Sequence, residues 1–442
     1  MYAKLKQCKS LKELYETIPE AFYEKSSVVM FGLMLFMIVH ETVIRFVMRY
    51  QNFFGMVDFY YYIGYAGILL SVFIVAVRAA GAGKDGIRTY FKKNLYEILF
   101  VIMMIWGLLA TLQSSDVKTA FLGDWFRQGG YRSFLIFAAF YILGKQIKNR
   151  KAVMIVYFAM LLVSSMQNLL LVTNELGYYG TKVGAFMNTN HSAYFMTMVA
   201  FAAVGFVSLC KKISGKIVGL ILYVFNIGCL IWNNTFGCYL AVVAGFVFLI
   251  ALSVWKKRRL LKELLLALIL FIVVSFLIDY QTGIVSNNFG ITSNDIGKIA
   301  SKTEDAKNAG NGRWELWMDA MNYTINHPLF GSGPDYLTNE TIRIEDESGK
   351  MTERMVLSEP HNEYLQYAAE WGVPALVCYL GGLALLLVAK IKSLKKSEDS
   401  VLYNGTIVFV YCVSAFFGVI MFYTAIYFFY YLGMTSRWDE YI

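Results

Sequence analysis

Long apolar runs separated by short polar segments dominate this chain. A transmembrane helix requires about 20 predominantly apolar residues. Twelve runs come close to or meet this requirement: 27–48, 59–77, 95–112, 132–144, 152–172, 192–210, 217–232, 237–255, 260–278, 371–389, 402–417 and 418–433. The fourth run is short, and little more than Gly418 separates the last two. The pattern predicts an all-α polytopic membrane protein with about 12 transmembrane helices.

Composition and charge support this fold class. Hydrophobic residues make up 57% of the chain and charged residues 16%, with a net charge of +9. Soluble domains are about 45–50% apolar and about 25% charged. The basic residues concentrate in alternate short segments between apolar runs, which is typical of cytoplasmic loops rather than of a nucleic-acid-binding surface. We therefore predict a multi-pass protein of the cytoplasmic membrane with both termini cytoplasmic, with the lipid bilayer but no nucleic acid as a partner.

The apolar runs divide the chain into three parts. Residues 1–278 contain nine predicted transmembrane helices joined by short loops. Residues 279–360 form one large extracytoplasmic loop, and residues 361–442 contain the last three predicted helices.

Within the large loop, the pattern changes twice. The segment 282–311 is rich in Asn, Ser, Gly and Lys, and predicts irregular structure. Apolar positions then recur at helical spacing over 313–326, which predicts an amphipathic helix with two tryptophans that lies in the membrane interface. The acidic segment 340–359 predicts a surface excursion.

The segment 360–366 ends the large loop and begins an apolar helix. The chain has only 4 histidines, and His361 lies where the outer membrane surface is expected. An imidazole titrates near neutral pH and can accept a proton from a sugar hydroxyl. The alternative is a histidine that hydrogen-bonds the backbone at a helix start. Asn362 and Glu363 add polar groups beside it, and we predict that they bind substrate.

Other polar groups on the same predicted side are candidates for substrate binding. The basic ones are Arg313, Arg343, Arg354 and Lys182. Arginine binds phosphate oxygens through two parallel hydrogen bonds, so these residues suit a lipid-linked diphosphate; otherwise they are solvated loop charges. Asn188 and Asn190 either bind sugar hydroxyls or cap the helix that follows them.

Motifs for cofactors are missing from the sequence. There is no P-loop and no glycine-rich turn of a nucleotide-binding fold. His327 and His361 are too isolated to indicate a zinc site. We expect no cofactor and no tightly held metal.

Three patches of the chain resemble the O-antigen ligase and O-antigen polymerase superfamily. Residues 184–190 (Gly-Ala-Phe-Met-Asn-Thr-Asn) are similar to its Gly-x-Phe-x-Asn-Pro-Asn element, with Thr189 in place of proline. Residues 312–333 are similar to its Arg-x-x-x-Trp helix and Gly-x-Gly turn. Residues 360–372 fit its His-Asn pattern followed by Gly372. Thr235-Phe236-Gly237 stands where many members carry Ser-Arg-Gly.

The resemblance implies a glycan-joining membrane enzyme, either a polysaccharide polymerase or an O-antigen ligase. The implied donor is a glycan on undecaprenyl diphosphate, and the implied acceptor is a glycan hydroxyl on the outer face of the cytoplasmic membrane. Arg313 would steady the diphosphate, and His361 would activate or orient the acceptor hydroxyl; both are the implied catalytic residues. The alternative function is a lipid-linked oligosaccharide flippase, although the repeated halves common in transporters are not evident.

Overall fold

The computed structural model describes residues 7–48, 53–173, 184–186, 188–255, 261–301, 304–345, 351–394 and 398–437. Within these ranges the protein is almost entirely helical. The helices are α1 Leu11–Thr17, α2 Glu20–Met48, α3 Phe53–Lys93, α4 Leu95–Gln113, α5 Val117–Leu122, α6 Tyr131–Gly144, α7 Arg150–Thr173, α8 Thr189–Leu209, α9 Ile213–Asn233, α10 Phe236–Trp255, α11 Leu261–Thr282, α12 Ile284–Ser301, α13 Arg313–Asn326, α14 Glu363–Trp371, α15 Val373–Ser393, α16 Asp399–Ala415 and α17 Phe422–Ser436. Two short 3₁₀ helices, Glu304–Asn308 and Leu337–Asn339, and two short strands, β1 Thr341–Glu345 and β2 Met351–Met355, complete the described structure.

Nine helices in this part of the chain are long and apolar enough to cross a membrane, judged by length and composition. They are α2, α3, α4, α7, α8, α9, α10, α11 and α15. Each coincides with one of the twelve predicted runs. The chain is therefore a multi-pass membrane protein with a helical fold, while its cytoplasmic termini stay a prediction.

The other three predicted runs form shorter helices. Helices α6, α16 and α17 have 14, 17 and 15 residues, so at about 1.5 Å per residue they are shorter than a hydrocarbon core of about 30 Å. Most residues of α17 are buried against other helices. A helix enclosed by protein need not match the thickness of the lipid, and the count of twelve spans stays a prediction.

Helix α8 lies at the centre of the bundle. Of its apolar window, 94% is buried, and it packs against α7, α9, α10 and α16. Small residues allow this close packing, as is common between membrane helices. A Cβ added to Gly205, for example, would lie 2.6 Å from the ring of Tyr157.

The segment after α11 is helical, and the prediction of irregular structure over 282–311 was wrong for most of its length. Gly283, with φ +65°, separates α11 from α12. The carboxylate of Asp279 then accepts a hydrogen bond of 2.8 Å from the backbone N–H of Val285. Val285 and Phe289 are four residues apart and lie on one helix face, a signal that the many Asn, Ser and Gly residues obscured.

The predicted amphipathic helix is confirmed as α13, although its orientation in the interface stays a prediction. One face of α13 packs into a small apolar cluster outside the main core. The cluster contains Ala320, Tyr323, Leu337, Ile342, Val356 and Ala369. Another face carries Trp317, whose ring packs edge-on against Phe416 at 5.3 Å. The acidic excursion forms an antiparallel hairpin of β1 and β2, a small exception to the all-α fold.

Candidate functional site

His361 lies at the mouth of α14, just before the helix begins. Its φ is +48°, a left-handed conformation that is uncommon outside glycine. Asn362 caps the helix by accepting hydrogen bonds from the backbone N–H groups of Tyr364 at 3.0 Å and Leu365 at 3.2 Å. The Nδ1 atom of His361 is buried and has no hydrogen-bond partner among the described residues. The helix cap therefore fixes the backbone at His361, and no described group occupies the Nδ1 atom of the imidazole.

Two guanidinium groups from separate parts of the chain act on this imidazole. Arg313 is the first residue of α13, and Arg127 lies in the loop between α5 and α6. Burial, followed by the positive charges of Arg313 and Arg127, lowers the pKa of His361 to about 4. The imidazole is therefore neutral at pH 7 and able to accept a proton. The structure brings together the two residues, His361 and Arg313, that the sequence analysis proposed as catalytic.

Arg313 is half-buried and forms no ion pair with any carboxylate in the described ranges. It begins α13 directly after Gly312, whose φ is +82°. The first turn of a helix carries partial positive charge, so a cation there is unfavourable unless an anion joins it. This position favours an anionic ligand over a purely structural role for Arg313.

Three buried carboxylates lie close to Arg127. One oxygen of each of Asp335, Glu359 and Glu370 lies within 4.8 Å of the others. We call these three residues the carboxylate cluster. Arg127 pairs with Glu359 at 2.9 Å. The sequence analysis did not predict Arg127 or the cluster, because the four residues come from three separate stretches of the chain.

The carboxylate cluster ties the loop between α5 and α6 to the segment that carries His361. Asp335 Oδ2 accepts hydrogen bonds from the backbone N–H groups of Asp124 at 2.6 Å and Gly129 at 2.9 Å. The glycine turn before Asp335 is docked onto α14, since the N–H of Gly333 donates to the carbonyl of Glu370 at 2.9 Å. These contacts hold Arg127 beside His361.

The carboxylates of the cluster bind protons more tightly than free side chains do. Burial and the charge of Glu359 raise the pKa of Asp335 to about 7. Burial also raises the pKa of Glu359, against the opposing effect of Arg127. Burial and its two carboxylate neighbours raise the pKa of Glu370. A cluster with all three groups ionised is therefore unfavourable.

These shifts predict that stability falls as the pH rises. Between the unfolded pKa of Asp335, about 4, and its folded value of about 7, the folded protein binds more protons than the unfolded chain. The stability from the raised pKa is thus present at low pH and lost by about pH 7. Asp335→Asn keeps an oxygen for the two N–H donors but removes the charge. We expect its apparent melting temperature in detergent at pH 8 to exceed that of wild type by about 2–4 °C.

A matched control is Asp58→Asn, which removes a carboxylate at an exposed position of α3. We expect this variant to melt like wild type at every pH. Equal melting temperatures for Asp335→Asn and wild type at pH 8 would contradict the assignment of unfavourable charge to the cluster.

Asn362 and Glu363, predicted to bind substrate, both face the interior. Asn362 is the helix cap and is 2% exposed. Glu363 is 1% exposed and accepts a hydrogen bond of 2.9 Å from the hydroxyl of Tyr411. Burial raises the pKa of Glu363 to about 8, so its carboxyl group is mostly protonated at neutral pH. Both residues follow His361 at the start of α14, and their buried contacts hold this helix start in place. That they bind substrate directly stays a prediction.

Asn188 and Asn190 lie at the start of α8. The side chain of Asn188 caps this helix by accepting from the N–H of Asn190 at 2.8 Å. The side chain of Asn190 accepts a longer hydrogen bond of 3.5 Å from Thr235, which joins the start of α8 to the turn between α9 and α10. Lys182, also predicted to bind substrate, lies outside the described residues.

Arg343 and Arg354 each have an intramolecular partner. Arg343 pairs with Glu353 across the hairpin at 2.8 Å, and both side chains are exposed. Arg354 binds Asp319 of α13 through two nitrogens at 2.8 Å, which fixes the hairpin on that helix. Carboxylates therefore compensate both guanidiniums, whereas that of Arg313 pairs with no carboxylate in the described part of the chain.

Comparison with known proteins finds one family model that matches part of the chain. Residues 221–380 match the family model described as O-Antigen ligase. The matched region begins in α9 and ends in α15, and it includes Arg313, the carboxylate cluster and His361. No curated protein matches the chain. The match, over residues 221–380, confirms the resemblance of this chain to the O-antigen ligase and O-antigen polymerase superfamily that was found in the sequence.

Proposed function

We propose that this protein transfers a glycan from an undecaprenyl-diphosphate donor to an acceptor sugar hydroxyl at the outer face of the cytoplasmic membrane. The match to the O-Antigen ligase family model and the apolar helices support a membrane glycan-joining enzyme at the family level. The observation that carries the finer proposal is a neutral histidine beside two guanidiniums at the mouth of a helix. The donor, the acceptor and the orientation in the membrane are parts of the proposal.

The proposed reaction uses these groups as follows. His361 accepts the proton of the acceptor hydroxyl as its oxygen forms a bond to the anomeric carbon of the donor sugar. The bond between that carbon and the diphosphate oxygen breaks, and its electron pair stays on the diphosphate. Arg313 neutralises the charge that develops on this leaving group. Because the donor already contains a diphosphate leaving group, the reaction consumes no nucleotide.

Arg127 is a second cation beside His361, but its surroundings differ from those of Arg313. Glu359, Asp335, Glu370 and Asp124 all act on it and, against the effect of burial, raise its pKa. The pairing with Glu359 compensates its charge in the free protein. We therefore assign Arg127 to positioning: it joins the loop between α5 and α6 to the segment of His361 and helps to keep the imidazole neutral.

The test is transfer by the purified protein in liposomes with a synthetic undecaprenyl-diphosphate-linked oligosaccharide. Release of undecaprenyl diphosphate with growth of lipid-linked chains would support a polymerase. Release that requires an added glycan acceptor would support a ligase. Movement of the donor between leaflets without release of undecaprenyl diphosphate would contradict the proposal and favour a flippase.

A further inference from the structure

A second histidine lies close to the candidate site, in the first turn of α8. His191 follows the capped start of this helix and is 3% exposed. His361 and Arg127 both act electrostatically on its imidazole. The proposed reaction does not use this residue. Helix α8 therefore brings a further buried imidazole within electrostatic reach of the proposed general base.

Contacts between buried side chains connect this turn of α8 to the start of α14. Tyr194, one turn after His191, packs edge-on against its ring with a centroid distance of 6.2 Å. Tyr194 also packs edge-on against Tyr411 of α16 at 6.1 Å, and the hydroxyl of Tyr411 donates to the carboxyl group of Glu363 at 2.9 Å. Glu363 and Arg313 both act electrostatically on Tyr194. The first turn of α8 thus lies beside the groups at the mouth of α14.

The two ring nitrogens of His191 have different surroundings. Its Nδ1 atom lies 2.7 Å from the hydroxyl oxygen of Tyr423 in α17. Tyr423 is itself fixed by Phe186, whose ring packs on it with a centroid distance of 5.3 Å. When the hydroxyl of Tyr423 donates to Nδ1, a neutral imidazole carries its proton on Nε2. Because Nε2 forms no hydrogen bond with any residue that the structure describes, His191 retains one N–H donor for a ligand.

We propose that the Nε2–H group of His191 donates a hydrogen bond to an oxygen of the acceptor sugar, next to the hydroxyl whose proton His361 accepts. This inference rests on the proposed function, because it adds a binding contact for the acceptor of that reaction. A neutral N–H donor suits uncharged sugar oxygens, whereas a diphosphate is better matched by a guanidinium such as that of Arg313. The contact orients the attacking hydroxyl towards His361.

Two substitutions separate the roles of the two nitrogens. The side-chain oxygen of asparagine lies as many bonds from the backbone as Nδ1 does, so His191→Asn keeps an acceptor for the hydroxyl of Tyr423. The amide nitrogen of glutamine lies as many bonds from the backbone as Nε2 does, so His191→Gln keeps a donor for the sugar but loses the bond to Tyr423. A purely structural role through Tyr423 therefore favours asparagine, and a role in acceptor binding favours glutamine.

The measurement is kcat/KM for the acceptor in liposomes, with the synthetic undecaprenyl-diphosphate-linked oligosaccharide as donor. The acceptor is a fluorescent copy of the same oligosaccharide, lipid-linked for a polymerase and free for a ligase. We expect His191→Asn to lower kcat/KM by about tenfold, the effect of one lost hydrogen bond to the substrate. His191→Gln should stay within about threefold of wild type.

The matched controls are His40→Asn and His40→Gln. His40 is a half-buried histidine of α2 whose ring packs on Phe59 with a centroid distance of 4.7 Å. Both control variants should retain the wild-type rate. The apparent melting temperature of every variant is measured in detergent alongside its rate. Because His191→Asn keeps the buried bond to Tyr423, we expect it to melt no lower than His191→Gln.

The order of the two His191 variants decides the inference. Wild type that releases no undecaprenyl diphosphate with either acceptor would overturn the proposed function itself. If wild type is active, His191→Asn with an activity equal to or above that of His191→Gln would overturn the role of Nε2 alone. A lower activity of His191→Asn at an equal or higher melting temperature would support it, because the loss then follows the missing donor rather than a weakened fold.

Discussion

Replacing His361 with asparagine is expected to lower kcat for glycan transfer by about 10²–10⁴-fold, the usual contribution of a general base. The imidazole lies at the helix mouth with a pKa lowered to about 4, so it is neutral at pH 7 and can accept the proton of the acceptor hydroxyl. Asparagine has no basic nitrogen to replace it. Asparagine also tolerates left-handed backbone conformations better than alanine, so the φ of +48° at this position need not change.

The measurement is release of undecaprenyl diphosphate by purified variants with equal melting temperatures. His327→Asn is the control, because His327 is a loop histidine whose ring stacks on Tyr323 at 4.3 Å. We expect it to retain wild-type activity. Wild-type kcat for His361→Asn would exclude proton transfer by this residue. The wild-type rate should also be nearly independent of pH from about pH 5 to 7 and fall as the imidazole becomes protonated near pH 4.

The sequence predicted the helices whose apolar residues follow one another in the chain or recur at helical spacing. The helical spacing of Trp314 and Trp317 predicted α13, because apolar residues recur every three or four positions along an amphipathic helix. The twelve apolar runs each correspond to a helix, because a continuous apolar stretch of sufficient length is itself the signal of a membrane helix. The segment 282–311 was predicted wrongly because its many Asn, Ser and Gly residues were taken to indicate irregular structure. The side chain of Asp279 caps α12 by accepting a hydrogen bond from the N–H of Val285, and residue composition does not reveal such a cap.

Contacts between distant segments could not be predicted in this way. His361 and Arg313 were proposed from their residue types and from the resemblance, but nothing in the spacing shows that α13 reaches the mouth of α14. Arg127 lies more than two hundred residues from Glu359 in the chain and pairs with it at 2.9 Å. Only the packed structure shows that a carboxylate compensates the guanidinium of Arg127, while none among the described residues compensates that of Arg313.

The second large effect is expected at Arg313. Arg313→Ala should lower kcat/KM by about 10²-fold, as for loss of one donor to a developing anion. Arg313→Lys keeps the charge but loses the two parallel hydrogen bonds, so we expect a loss of about tenfold. Lys118→Ala, at an exposed position of α5, is the control and should match wild type. An alanine variant as active as wild type would exclude a role for Arg313 in binding the diphosphate.

The pH dependence distinguishes a cation at the site from one that only supports the fold. The positive charge of Arg313 helps to lower the pKa of His361. In Arg313→Ala that pKa should rise towards its ordinary value of about 6.5, and the acid limb of the rate profile should move to higher pH. In Arg313→Lys the charge remains, so the limb should stay near its wild-type position although the rate is lower. If Arg313 only supported the fold, both variants would have lower rates, but the acid limb would lie at the same pH in both. A difference in the pH of the acid limb between the two variants therefore indicates that the charge of Arg313 acts on the imidazole.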